Sequence, residues 1–377
     1  MFLIFPALFA AVVIWRFVPA LPFNRAWKIA IALLILLISQ WGLITNLFGG
    51  WASPEVPRGV IIVAGWATGA FILLLCFLIL KDMASIVLWF AGKVGIFARK
   101  PQLGWHWNIG LCILALILSA IGTWQGIRVP DVKQVHVHVR HLPNELDGLR
   151  IVQLTDLHTC RLMNAEWMRE VVDKTNALNP DLMVVTGDLV DGLTKNRVDD
   201  VAPYKDLKAR LGVYVVTGNH EYYSNYLAWM RYFENMGLRI LKNEHLVLND
   251  KGKQIVLAGT TDRTAARFGL PEPDIQKALA GKPDGVPVIL MAHQPKGSDA
   301  NAAAGVDLQL SGHTHGGQVL GIHWLNQLFN DGYVSGLYDV DGMKLYVSNG
   351  TGLWNGFLIR LGKPSEITEL ILHPATP

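Results

Sequence analysis

The chain has 377 residues, 51% hydrophobic and only 17% charged, which is too apolar for an ordinary soluble enzyme. Its net charge of +3 is uneven: residues 1–127 hold eight basic and two acidic side chains, and the rest is net negative, so no basic stripe is left to hold nucleic acid. Of the three cysteines, Cys76 and Cys112 sit in apolar runs and only Cys160 lies in the polar region, which excludes a disulfide scaffold and a cysteine-rich zinc site.

Four stretches approach the roughly 20 apolar residues that a membrane helix needs: residues 2–18, 26–48, 60–80 and 107–127. The first has no basic segment before its apolar run, so it reads as a retained span and not as a signal peptide. Arg25 and Lys28 follow the first stretch, and Lys81, Lys93, Arg99 and Lys100 follow the third. Basic loops stay in the cytoplasm, which predicts both termini and residues 128–377 on the extracytoplasmic side. The short stretch 84–97 carries Lys93 and reads as lying in the interface. No stretch contains a cluster of ionisable residues, so the predicted role is a multi-pass anchor and not a transport path.

After Pro130 the pattern changes. Val135, Val137 and Val139 alternate with His136, His138 and Arg140, the period of a strand with one solvated face. A unit then recurs in which a short apolar strand ends in polar residues. Residues 149–154 lead into Asp156 and His158, 182–185 into Gly187 and Asp188, and 213–216 into Gly218, Asn219 and His220. Residues 288–291 lead into His293, and 308–310 into Gly312, His313 and His315. Helical patterns lie near 166–178, 201–210 and 226–236, and later strands near 254–258, 344–348 and 366–372. Strands alternating with helices imply an α/β domain over 131–377 behind the anchor of 1–130. In such sheets, residues just past the strand ends gather at one edge.

Five strand ends thus deliver two aspartates, one asparagine and five histidines. Carboxylate and imidazole donors suit Mn, Fe or Zn better than Ca or Mg. A pair of such ions can clamp the attacking and leaving oxygens of a displacement at phosphorus.

The series Asp156-x-His158, Gly187-Asp188, Gly218-Asn219-His220-Glu221, His293 and Gly312-His313-x-His315 resembles the calcineurin-like metallophosphoesterases, all five motifs being intact over about residues 149–350. The ending Tyr346–Gly352, followed by Arg360-Leu361-Gly362, resembles the bacterial membrane-associated phosphodiesterase branch. The resemblance implies a four-layer αββα sandwich, here preceded by about four transmembrane helices. It also implies two divalent ions, manganese being the first choice. Asp156, His158 and His315 would hold one ion, Asn219, His293 and His313 the other, and Asp188 would bridge. His220 would face the substrate as general acid or as a cation on the phosphoryl oxygens.

Other residues leave alternatives open. Asp191 braces the turn after Asp188 and Glu221 orients a ligand histidine, or either is a surface acid. Tyr222, Tyr223, Tyr226 and Trp229 line a substrate pocket or pack a helix. The apolar run with Trp324, Leu325, Leu328, Phe329 and Tyr333 admits an acyl chain, touches the bilayer, or covers the sheet. The expected substrate is a phosphodiester or pyrophosphate, with a phospholipid or lipid-linked sugar favoured by the membrane setting. The competing readings are a transport or scaffold protein with a regulatory phosphoesterase-like domain, and a protein phosphatase.

Overall fold

A computed structural model describes residues 4–50, 52–95 and 104–375. The chain forms two compact units. One is helical and comprises Met1–Trp124 with Asn355–Ile359; the other is α/β and comprises Gln125–Trp354 with Arg360–Pro377.

The helical unit contains α1 (Ile4–Phe17), α2 (Arg25–Ser39), α3 (Trp41–Asn46), α4 (Arg58–Lys93) and α5 (Trp105–Ile127). Among the described residues, only α4 and α5 are long and apolar enough to cross a membrane, so the expected four spans reduce to two. The causes are local. Pro19 and Pro22 follow α1 and end it at Phe17, because proline lacks the donor a helix needs. Asn24 caps α2 by accepting from the Trp27 amide, and the chain turns at Gln40 after 15 residues. At 1.5 Å per residue, α1 and α2 span about 20–23 Å against a hydrocarbon core of about 30 Å.

The second correction concerns residues 84–97. No break follows Leu80: α4 continues through Lys81 and Asp82 to Lys93, 36 residues in all, and Phe97 lies outside the described residues. Lys81 and Asp82 are not loop residues but members of a polar cluster. Asp82 pairs with Arg16 of α1, Lys81 with Asn108 of α5, and the Asn108 amide donates to the Arg16 carbonyl. Such partners lower the cost of charges at the edge of an apolar bundle. Near the other end of α4, Gly65 and Gly69 lack the side chains that would collide with Leu358 and Ile359. This places the returning segment Asn355–Ile359 directly on the helix.

The α/β unit contains two six-stranded sheets. The first runs β1 (Asp131–Val139), β12 (Glu366–Pro374), β2 (Leu149–Leu154), β3 (Leu182–Thr186), β4 (Val213–Val216) and β5 (Arg239–Ile240). The second runs β10 (Gly336–Val340), β11 (Met343–Val347), β9 (Leu308–Ser311), β8 (Val288–Met291), β7 (Lys253–Gly259) and β6 (Glu244–Asp250). In each, four neighbouring strands are parallel: β2 to β5 in one, and β11, β9, β8 and β7 in the other.

One apolar core joins the sheets. Ile151, Val184, Val216 and Leu370 of the first meet Ile255, Leu257, Ile289 and Leu310 of the second. Alternate residues Val256, Ala258, Val288 and Leu290 point the other way, against Leu279 and Ala302 beside α10 (Ile275–Ala278) and α11 (Ser298–Ala303). Strands buried on both faces read as continuous apolar runs, as these do. The fully buried Gln153 of β2 ties the sheets together at the functional edge, donating to the Thr186 hydroxyl and to the Ser311 carbonyl.

Between the strands lie α6 (Ala165–Asn176), α7 (Thr194–Val201), α8 (Asn219–Tyr223), α9 (Tyr226–Asn235) and, after β9, α12 (Ile322–Gln327). The helix expected over 201–210 sits earlier, at α7, because Pro203 ends it in a 3-10 turn. His136 and His138 lie exposed on β1, an edge strand of its sheet.

Candidate metal centre

The parallel strands end at one edge, and the turns after them bring together all eight residues singled out in the sequence. Backbone hydrogen bonds fix the turns to one another: Asp156 N–H donates to Gly187 O, His158 N–H to Asp188 O, and Gly312 N–H to His293 O. Asp156, His158, Asp188, His313 and His315 all have positive φ, between 45° and 69°. A left-handed backbone at a non-glycine residue costs of order 1–3 kcal/mol, so the site is held by its surroundings. Gly187 and Gly218 are required by close approach. A Cβ on Gly187 would lie 2.6 Å from both the Gly218 nitrogen and His293 Nδ1, and one on Gly218 would lie 2.5 Å from the Asp188 nitrogen.

The donors fall into two groups. His158 Nε2 lies 3.2 Å from His315 Nε2, and His315 Nε2 lies 3.5 Å from Asp156 Oδ1. In the second group, Asn219 Oδ1 lies 3.1 Å from His293 Nε2 and 2.9 Å from His313 Nδ1. Asp188 Oδ2 stands between the groups, 3.7 Å from His158 Nε2 and 3.3 Å from His293 Nε2. Asp156, His158, Asp188 and His293 are almost fully buried.

The tautomers test whether metal ions fit. His293 Nδ1 lies 2.8 Å from the Thr186 carbonyl, which can only accept, and His158 Nδ1 lies 3.2 Å from the Asp191 carboxylate. The protons therefore reside on Nδ1, and in the neutral rings both Nε2 lone pairs point inward. Around His293 Nε2 the neighbours are Asn219 Oδ1 and Asp188 Oδ2, which are acceptors too. Acceptors converging on acceptors are satisfied by a cation, and imidazole, carboxylate and amide oxygen suit a divalent transition metal.

His220 stands apart from both groups, its side chain 12% exposed at the mouth. Its amide donates to Asp188 Oδ1 at 2.8 Å, and its Nδ1 lies 2.5 Å from Asp191 Oδ1. Burial alone would lower this imidazole; the carboxylates of Asp191 and Asp188 outweigh it and hold it up to about 9.

Asp191 and Glu221 exchange the roles expected of them, and neither is a surface acid. Asp191 is the orienting carboxylate, shared between His158 Nδ1 and His220 Nδ1. Glu221 braces the turns: its carboxylate accepts from the amides of Asp188, Leu189, Val190 and Gly218. Glu221→Ala strands four buried donors, each worth about 1–3 kcal/mol if water cannot reach it. A loss of at least about 3 kcal/mol is expected, read as a lowered Tm of the solubilised chain. Asp191→Asn removes the charge that raises His220, so the alkaline limb of the kcat profile moves to lower pH. The same variant should lose about 10–100-fold in kcat, as disturbed outer partners of metal ligands do.

A cavity of about 230 Å³ opens over the site, lined by Asp188, Asn219, His220, His313, Gln318, Asn326 and Trp354 among others. The rings of Tyr223 and Trp354 lie 5.5 Å and 6.3 Å from His220. Tyr222 and Trp229 are buried: Tyr222 stacks on Tyr226, and Trp229 on Phe233. Of the expected aromatic pocket, only Tyr223 reaches the rim beside His220.

Sequence reasoning missed the part played by Arg360. Its guanidinium is fully buried and donates to the carbonyls of His315, Asn349, Gly352 and Lys363. Burial lowers its pKa to about 10, which leaves it charged at neutral pH. The signal was an arginine in an otherwise apolar run, 357–361. Gln318, Asn326 and Trp354 had no comparable signal.

A sequence profile described as calcineurin-like phosphoesterase matches residues 149–317. A transmembrane protein with metallophosphoesterase domain from Bos taurus is 33% identical over 371 residues, covering 93% of this chain and 81% of its own. Its namesake in Danio rerio is 31% identical, covering 96% and 83%. An uncharacterized metallophosphoesterase of Campylobacter jejuni is 35% identical over 269 residues, covering 70% and 69%.

Proposed function

This chain belongs to the calcineurin-like metallophosphoesterase family and is a hydrolase of phosphoester bonds, and on that premise we propose how its site works and what it acts on. Asp156, His158 and His315 would hold one divalent ion, and Asn219, His293 and His313 a second. Asp188 would be shared by both, with manganese preferred over iron or zinc. The observation that carries this reading is the place of Asp188 Oδ2, within 3.7 Å of an inward imidazole nitrogen in each group. A carboxylate there offsets the repulsion of two cations. Divalent ions held by these residues would supply activation of a water near neutral pH and charge neutralisation at the phosphoryl group.

The chain's own residues do the rest. Asp191 holds His220 through Nδ1, so Nε2 is the atom that delivers a proton to the departing oxygen. The imidazolium also stabilises the electron-rich transition state. Glu221 and Arg360 keep the turns in place while the charges shift.

The domain division is an anchor over 1–130 and a catalytic domain over 131–377, its sheets and outer helices forming a four-layer αββα sandwich. The helical unit associates with a membrane through α4 and α5. Lys93 at the end of α4, with Arg99 and Lys100 beyond it in the sequence, favours the cytoplasmic side for that end of α4 and the extracytoplasmic side for the catalytic domain. The substrate class is a phosphodiester or pyrophosphate carried on a lipid, such as a phospholipid or lipid-linked sugar. Tethering at the membrane raises the effective concentration of such substrates. An apolar cavity of about 840 Å³ in the helical unit, lined by Phe17, Ile35, Phe71, Leu74 and Leu116 among others, supports lipid contact.

The test is a substrate panel on the full chain in vesicles with manganese: bis-p-nitrophenyl phosphate, p-nitrophenyl phosphate, a phosphopeptide, a phospholipid and a lipid pyrophosphate. Turnover of the diesters and of a lipid-borne member is expected. Turnover of the phosphopeptide alone would support a protein phosphatase instead.

A further inference from the structure

The loop around α12 that follows the last metal motif carries an apolar surface that the reaction does not use. Leu320, Trp324, Leu325, Leu328 and Phe329 are each at least 60% exposed, and Ile322 is 38% exposed. Among the described residues of the α/β unit only five other large hydrophobics are exposed, and they are spread through the sequence from Leu193 to Leu337. The concentration within ten residues is therefore a patch and not ordinary surface.

Its composition names what it meets. Residues 316–330 contain no Asp, Glu, Lys or Arg. A protein-binding patch normally has a charged rim, whereas entry into lipid penalises every charge. Several polar groups of this loop are occupied internally. Asn326 donates to the Thr314 carbonyl, Asn330 to the Asn326 carbonyl, and the Gly321 amide to His323 Nδ1. Tryptophan on an aliphatic surface suits the interfacial zone of a bilayer.

The loop is also bonded to the stretch of chain that follows the last residues of the helical unit. Leu361 N–H donates to Gln318 O and Leu320 N–H to Leu361 O, while Leu361 follows by two residues the segment Asn355–Ile359 of the helical unit. At its other end it belongs to the metal site: Thr314 lies between His313 and His315, and Asn326 lines the cavity.

We propose that Leu320–Phe329 inserts into the leaflet that the chain is anchored in and fixes the mouth of the metal site at the lipid headgroup level. This rests on the reading of the helical unit as a membrane anchor. The site then meets phosphoesters presented at the surface of that leaflet.

The experiment uses the unmodified full chain in phosphatidylcholine vesicles doped with a phospholipid that carries a diazirine on its acyl chain. After illumination, labelled peptides are mapped by mass spectrometry, alongside a sample treated with a water-soluble carbene reagent. Labelling of 320–329 by the lipid probe, comparable to α4 and α5 and absent from α7, is the expected result. Labelling of 320–329 by the aqueous reagent alone would overturn the proposal. So would protection from both reagents, since a protein would then cover the patch. Turnover of bis-p-nitrophenyl phosphate by the same vesicles is read separately, so failure of the hydrolase reading is distinguishable from failure of insertion.

Discussion

Asp188→Asn is expected to lower diester turnover by about 10³-fold in the presence of manganese, because several kcal/mol of charge stabilisation are lost at about 1.4 kcal/mol per factor of ten. Asparagine preserves the shape of the side chain and removes its charge. The Oδ1 contact to the His220 amide can persist, so the turn survives. What is lost is the anion at Oδ2, the one atom close to both histidine groups. The variant should fold, bind fewer than two manganese ions per chain, and require more manganese for its residual activity. Metal analysis together with kcat separates this from unfolding. A variant that keeps full activity and two ions would remove Asp188 from the bridge.

The second large effect is expected at His220. His220→Ala should lose about 10²–10⁴-fold, the range for a positioned proton donor. The loss should depend on the leaving group. An alkoxide needs a proton when it departs, and nitrophenolate needs it far less. The defect is therefore larger for an alkyl diester than for bis-p-nitrophenyl phosphate, with metal content unchanged. Equal losses on both substrates would assign His220 to stabilisation of the phosphoryl oxygens and not to proton transfer. Loss of metal would make it a ligand.

The two variants probe a site whose members were legible for a simple reason. Each lies just past a short apolar strand, and parallel strands must end at a common edge. The glycines beside them were also legible as motif residues, although their necessity appears only when the Gly218 amide is seen against Gly187. The supporting acids were less legible. Asp191 and Glu221 each lie three residues or fewer from a metal-site residue, and nothing in the spacing tells which one turns toward a histidine. That is decided by α8, which points Glu221 down into four amides while Asp191 faces the paired rings.

The helical unit was read less well, because hydropathy counts apolar residues and does not see where a helix stops. Gln40 divides the second stretch into pieces too short to cross, and α1 in the first ends at Phe17, two residues before Pro19. Conversely, Lys81 is expected after the third stretch, yet it and Asp82 continue α4, where Asn108 and Arg16 pair with them. The return of Asn355–Ile359 to the helical unit is a tertiary fact with no local signature beyond Gly65 and Gly69.

Removal of the metal tests the central claim most directly. The full chain should lose bis-p-nitrophenyl phosphate hydrolysis when treated with a chelator and regain it when manganese is restored, with about two ions bound per chain. Hydrolysis that persists in the metal-stripped chain, or a chain that binds two ions and turns over no phosphate ester, would contradict the account.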